Sequence, residues 1–121
     1  MKILIIEDEE SVRLALSKIL ENFGYNIFTA ADGPEGLELF VRQGDFDLVV
    51  TDLSLPGPSG WEVASSVKER EPKTPVILLS GWDVTDSELR SRGNIERVLS
   101  KPVKISSLLQ AISELVIKRE A

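Results

Sequence analysis

The chain has 121 residues, 42% of them hydrophobic and 28% charged, with a net charge of −6 and neither cysteine nor histidine. This composition suits one globular domain spanning 1–121 and excludes disulfides, thiolate metal sites, zinc–imidazole catalysis and a Ser-His-Asp triad. The acidic balance excludes direct nucleic-acid binding, and no apolar run reaches the roughly 18 residues of a membrane span. The N-terminal MKILIIEDEE lacks a small-residue cleavage site, so it is not a signal peptide, and a cytoplasmic setting is expected.

Short apolar runs alternate with amphipathic stretches. Lys2–Glu7 is a near-continuous apolar run, as expected for a strand covered on both faces. Val12, Ala15, Leu16, Ile19, Leu20 and Phe23 then recur at helical spacing, with Gly24 as the stop. Asn26–Ala30 is a weaker strand. Pro34 at a helix start leads into Leu37, Phe40 and Val41, stopped near Gly44. Asp47–Thr51 is the third strand, followed by a Pro- and Gly-rich loop over Leu53–Gly60 and a helix carrying Val63, Ala64 and Val67. Pro72 and Pro75 precede the strand Val76–Leu79. The polar segment Trp82–Asn94 offers only Val84 and Leu89 as further anchors, which predicts a short, weakly held helix. Glu96–Ser100 is the fifth strand, and Ile105, Leu108, Leu109, Ile112, Leu115 and Val116 mark the last helix.

Five such β-then-α units predict an α/β fold: a doubly wound parallel sheet of five strands with five helices, in the flavodoxin-like order 2-1-3-4-5. In that fold the C-terminal ends of the strands share one edge. Glu7-Asp8, Asp52, Ser80 and Lys101 end or follow four of the five apolar runs. Three carboxylates, one hydroxyl and one ammonium therefore meet in one crevice. The second strand ends without such a residue, and this order puts it at the sheet edge.

Three close carboxylates raise one another's pKa unless a cation compensates, and an all-oxygen set suits Mg2+. Glu9 and Glu10 are read instead as favourable charge at a helix N-terminus. Lys101 is either a plain ion-pair partner or the counter-charge for an incoming dianion, and in the second case a phosphoryl group on Asp52 would be neutralised from two sides. Ser80 is placed to donate to a third phosphoryl oxygen. A carboxylate that attacks phosphorus needs no general base, so the absence of histidine is no obstacle.

With these residues in order, the chain resembles the receiver domains of two-component response regulators over essentially its whole length. The matching pieces are Glu7-Asp8, the stretch from Asp52 through Pro56 to Gly60, Ser80-Gly81 and Lys101-Pro102. The resemblance implies that Asp52 accepts a phosphoryl group from a phosphohistidine on a histidine kinase or histidine phosphotransfer protein. It implies Mg2+ held directly by Asp8, Asp52 and the Ser54 backbone carbonyl, with Glu7 acting largely through water. Ser80 and Lys101 would contact the phosphoryl group, and the Lys101–Pro102 peptide would be cis.

Two departures stand out. The family's usual aromatic three residues before the lysine is replaced by Val98, a stiff β-branched side chain with no ring to swing. Trp82 falls two residues past Ser80, a position that varies in the family, where an indole either shields an acyl phosphate from water, caps the core or lies on the surface. Two other families are poor matches. A haloacid-dehalogenase-like aspartyl phosphatase would carry D-x-D after the first strand, where this chain has Glu7-Asp8-Glu9-Glu10. A flavodoxin-like FMN binder would need a phosphate cradle where these acids stand. A degenerate receiver that signals without phosphorylation is the remaining alternative.

Overall fold

The computed structural model describes residues 1–92 and 95–120, the side chains of 117–120 excepted; Asn94, the end of the polar segment, lies outside the described residues. The elements are β1 (Lys2–Ile6), α1 (Glu10–Asn22), β2 (Asn26–Ala30), α2 (Gly33–Gln43), β3 (Leu48–Asp52), α3 (Gly60–Arg70), β4 (Val76–Ser80), α4 (Asp86–Arg92), β5 (Arg97–Ser100) and α5 (Ile105–Glu120). The strands form one sheet in the order β2-β1-β3-β4-β5, every pair parallel, which is the predicted topology.

The two-residue period of the strands divides the core. Ile3, Ile5, Leu48, Val50, Ile77 and Leu79 face α1 and α5, where Leu16, Leu20, Leu108 and Ile112 meet them. Leu4, Ile6, Val49 and Val76 face α2 and α3, meeting Phe40, Val63, Ala64 and Val67. Every residue of β3 and β4 is buried, hence their unbroken apolar runs. The β5 edge is thinner, four residues with no buried position.

Local chemistry sets the helix ends. Asp32 caps α2 by accepting the Glu35 N–H at 2.8 Å, with Pro34 in the first turn. Gly24, at φ +92°, turns the chain after α1, a conformation open to glycine at little cost. At the far end of α2, Lys2 Nζ donates to the Gln43 and Gly44 carbonyls at 2.9 and 2.7 Å. The same ammonium lies about 5 Å from the ring centroids of Phe28 and Phe46, so one cation caps a helix dipole and stacks on two rings.

α4 is short, seven residues, and none of them is buried, as the polar segment predicted. It rests on a small separate cluster of Leu53, Trp61 and Leu78, with Val84, Leu89, Ile95 and Val98 partly buried against it. Strand limits differ from the sequence reading by one residue at most. β1 stops at Ile6, β3 runs Leu48–Asp52, β4 takes in Ser80, and β5 starts at Arg97. Main-chain ladder bonds decide these limits, and side-chain polarity does not report them.

Candidate functional site

The site is built on strand tips fixed by main-chain bonds. The N–H of Glu7 donates to Ala30 O at 3.0 Å, that of Leu53 to Leu79 O at 2.9 Å, and that of Lys101 to Ser80 O at 2.8 Å. These bonds tie the ends of β1, β3 and β5 to their neighbours independently of side-chain identity. The Lys101–Pro102 peptide is cis.

One carboxylate oxygen from each of Glu7, Asp8 and Asp52 lies within 4.8 Å of the others. Glu7 and Asp52 are buried and Asp8 is exposed. Lys101 Nζ reaches Asp52 Oδ2 at 2.8 Å and Glu7 Oε1 at 3.2 Å. Two buried carboxylates, Glu7 and Asp52, thus share one ammonium, with Asp8 close beside them. Burial, then the hydrogen bond and charge of Asp52, push the Glu7 carboxyl up from 4.5 to about 7, with Lys101 pulling the other way. Burial lowers the Lys101 pKa, but its bonds and charge attraction to Asp52 and Glu7 outweigh that and hold it above its ordinary value.

Glu7 Oε2 is a buried oxygen with no hydrogen-bond partner among the described residues. A buried acceptor left unpaired costs free energy unless a proton or a cation meets it. The raised Glu7 pKa supplies the first remedy, a proton shared towards Asp52. A hard cation supplies the second, and the all-oxygen donor set fits Mg2+.

The structure brings Glu7, Asp8, Asp52 and Lys101 together as predicted. Ser80 is at the same edge and buried, but its hydroxyl is engaged elsewhere. Ser80 Oγ donates to the Trp82 carbonyl at 2.6 Å and accepts from the Trp82 N–H at 3.1 Å. Ser54 is exposed in the loop after β3. Trp82 is 52% exposed and borders a cavity between α4 and β5.

Three residues have supporting roles that the sequence reading did not assign. Arg13 donates from Nη1 to the Glu7 carbonyl at 2.9 Å and so steadies the acidic pair from α1. Thr51, fully buried, donates from Oγ1 to the Asp52 carbonyl at 3.0 Å. Gly60 is the third, pressed against the acceptor strand. A Cβ there would lie 2.5 Å from Asp52 O and 2.8 Å from Leu53 Cα. Both obstacles are backbone and cannot swing aside. Gly60→Ala is therefore expected to cost about 2 kcal/mol or more in urea unfolding, by the overpacking it forces. A variant as stable as the parent would contradict this packing. An Arg inside an otherwise apolar helical stripe was the available signal for Arg13, and Gly60 was visible only as the end of the matching stretch after Asp52; Thr51 gave none.

An open groove of about 670 Å3 adjoins the site, between α1 and the segment after β5, with Glu7, Gly81 and Lys101 along it and Val12, Ile19 and Val103 among its apolar walls. Among the described residues no helix is long and apolar enough to cross a membrane.

Comparison with known proteins agrees with this geometry. The cell cycle response regulator CtrA of Brucella ovis is 30% identical over 117 residues, which cover 96% of this chain and 50% of CtrA. The chain thus spans about half the length of the curated relatives it matches. A response regulator receiver domain protein of Clostridium thermocellum superposes with a TM-score of 0.90 at 30% identity, covering 98% of this chain and 96% of that one. Response regulator TrrA of Thermotoga maritima, solved in complex with Mg2+-BeF, gives a TM-score of 0.84 at 32% identity, covering 94% of this chain and 97% of TrrA. The family model of the response regulator receiver domain matches residues 3–113. A parallel sheet of this order, an acidic cluster at its edge and a match over that length have one common explanation: the chain belongs to the response regulator receiver domains of two-component signalling.

Proposed function

We propose that the chain accepts a phosphoryl group on Asp52 from a phosphohistidine on a histidine kinase or histidine phosphotransfer protein, and that this changes a protein-interaction surface. The observation that carries the proposal is the buried Asp52 carboxylate, 2.8 Å from Lys101 and within 4.8 Å of the Glu7 and Asp8 carboxylates, at an edge that opens on a groove. One ammonium serves two buried acids, Asp52 and Glu7, so the cluster carries more negative charge than its own cation balances.

Asp8, Asp52 and the Ser54 carbonyl would hold Mg2+ directly, with Glu7 acting largely through water. When bound, the ion would neutralise charge on the phosphoryl oxygens. The chain's own residues do the rest. An Asp52 oxygen attacks phosphorus, an O–P bond forms as the P–N bond breaks, and the electron pair leaves on the imidazole nitrogen. Lys101 follows the charge from Asp52 to a phosphoryl oxygen, and its raised pKa keeps it protonated throughout. Ser80 turns from Trp82 to a further phosphoryl oxygen. The groove lined by α1 and Val103 gives the donor protein an apolar seat beside Lys101. On this reading the chain is a signalling domain whose own chemistry is limited to gaining and losing that phosphoryl group.

The test is incubation with acetyl phosphate and Mg2+ followed by intact mass analysis. The expected result is a gain of one phosphoryl group, lost in Asp52→Ala and lost when the metal is chelated. No gain from acetyl phosphate or from several phosphohistidine donors would show a degenerate receiver.

A further inference from the structure

Helix α1 carries a cation at an end that does not favour one. Arg13 closes its first turn, where the N-terminal peptide groups already present positive charge. A helical side chain leans back towards the N-terminus, so the Arg13 guanidinium reaches past its own helix to the tip of β1. There its Nη1 donates to the Glu7 carbonyl at 2.9 Å, six residues back in the chain.

That carbonyl belongs to the peptide joining the two acids, whose plane sets the direction in which the Asp8 side chain leaves the main chain. Glu7 is well held without Arg13. Its N–H bonds to Ala30 O at 3.0 Å, and its buried carboxylate is paired with Lys101. Asp8 has no such support. It is exposed, lies beyond the last residue of β1, and among the described residues nothing bonds to its carboxylate. Yet one of its oxygens comes within 4.8 Å of those of Glu7 and Asp52. The main chain brings it there, and Arg13 is the side chain that fixes that stretch of main chain.

We propose that Arg13 is a positioning residue for the divalent cation: by fixing the Glu7–Asp8 peptide it aims the Asp8 carboxylate into the cluster and so raises the affinity of the site. The inference rests on the reading of Glu7, Asp8 and Asp52 as a cation site. A guanidinium has donors and no acceptor, so Arg13 cannot itself be a ligand. Mg2+ demands near-ideal octahedral geometry, and a ligand free to swing holds it less well. Groups that orient a ligand from outside typically change metal affinity about 10–100-fold. The charge of Arg13 acts the other way, since a cation beside the cluster repels a second one. Positioning and plain charge therefore give opposite signs when the guanidinium is removed.

The probe is Mn2+ titrated into the full chain, with the free ion read by its electron paramagnetic resonance signal and Mg2+ added as competitor. The parent is expected to bind a Mn2+ ion that Mg2+ displaces and that Asp8→Asn holds far less tightly. Arg13→Met, which keeps an apolar stem and no charge, should bind about 10-fold more weakly than the parent. Arg13→Lys, which can still donate to the Glu7 carbonyl, should recover part of that loss. Circular dichroism checks that each variant is folded, and Arg13→Gln takes the place of Arg13→Met should that one unfold. Binding by the uncharged variant equal to or tighter than the parent's overturns the positioning role and leaves the cation site standing. A parent that binds no ion, or binds it no better than Asp8→Asn, overturns the cation site and the inference with it.

Discussion

Lys101→Met is expected to abolish phosphoryl acceptance and to destabilise the metal-free protein by roughly 2–3 kcal/mol above neutral pH, less than the full cost of orphaning a buried charge because the ammonium is 28% exposed. The variant leaves two buried carboxylates, Glu7 and Asp52, with no cation between them. Among the described residues Lys101 is the only influence holding the Glu7 carboxyl down, so its removal drives that pKa above about 7. Acid then repairs part of the damage by protonating Glu7. The stability deficit should be largest at pH 8 and should shrink towards pH 5 in urea unfolding. Added Mg2+ should restore more stability to the variant than it gives the parent, because it replaces the missing charge. A deficit independent of both pH and Mg2+ would mean that Lys101 acts through packing.

Glu7→Gln should do the reverse and stabilise the metal-free protein in alkali. The folded-state pKa of Glu7, about 7, lies above its unbound value of 4.5. The proton that Glu7 holds in the folded state favours folding fully below 4.5, and this contribution is lost as pH rises through about 7. Above that, an ionised Glu7 costs on the order of 3 kcal/mol, which the uncharged amide avoids. The gain should therefore be near zero at pH 4.5 and approach its full size by pH 8. The variant should also gain less from Mg2+ than the parent does, since a charged oxygen has gone from the cluster. Thermal unfolding at the two pH values, with and without Mg2+, measures both effects. Equal stability of variant and parent at pH 8 would show that the unpaired Glu7 oxygen already finds a partner in solution.

How much of this was legible in the sequence depended on the range of each interaction. The apolar runs ending at Glu7, Asp52 and Ser80 were readable because burial on both faces keeps the strands apolar almost to their tips, whereas the run before Lys101 is a half-buried edge strand. That gave the sheet order and the convergence of charge together. The weak packing of α4 was readable for the opposite reason, since Val84 and Leu89 are too few to anchor a helix. Ser80 shows the limit. Its buried place at the edge follows from the strand, but which partner its hydroxyl chooses depends on the dihedrals of the Gly81–Trp82 turn, which no periodicity encodes. Lys2 is a second case. It reads as the start of a strand, yet its ammonium serves the end of a helix more than forty residues away through the packing of Phe28 and Phe46.

The main-chain bonds that fix the strand tips carry a consequence for how such a domain diversifies. Glu7, Leu53 and Lys101 are positioned by N–H groups that every residue except proline possesses. Geometry at the reactive edge is therefore insulated from most substitutions on the helical exterior, and the near-identical shape shared with the Clostridium thermocellum protein at only 30% identity is what such insulation allows. The outer faces of the helices can therefore change without moving the main chain at Glu7, Leu53 or Lys101.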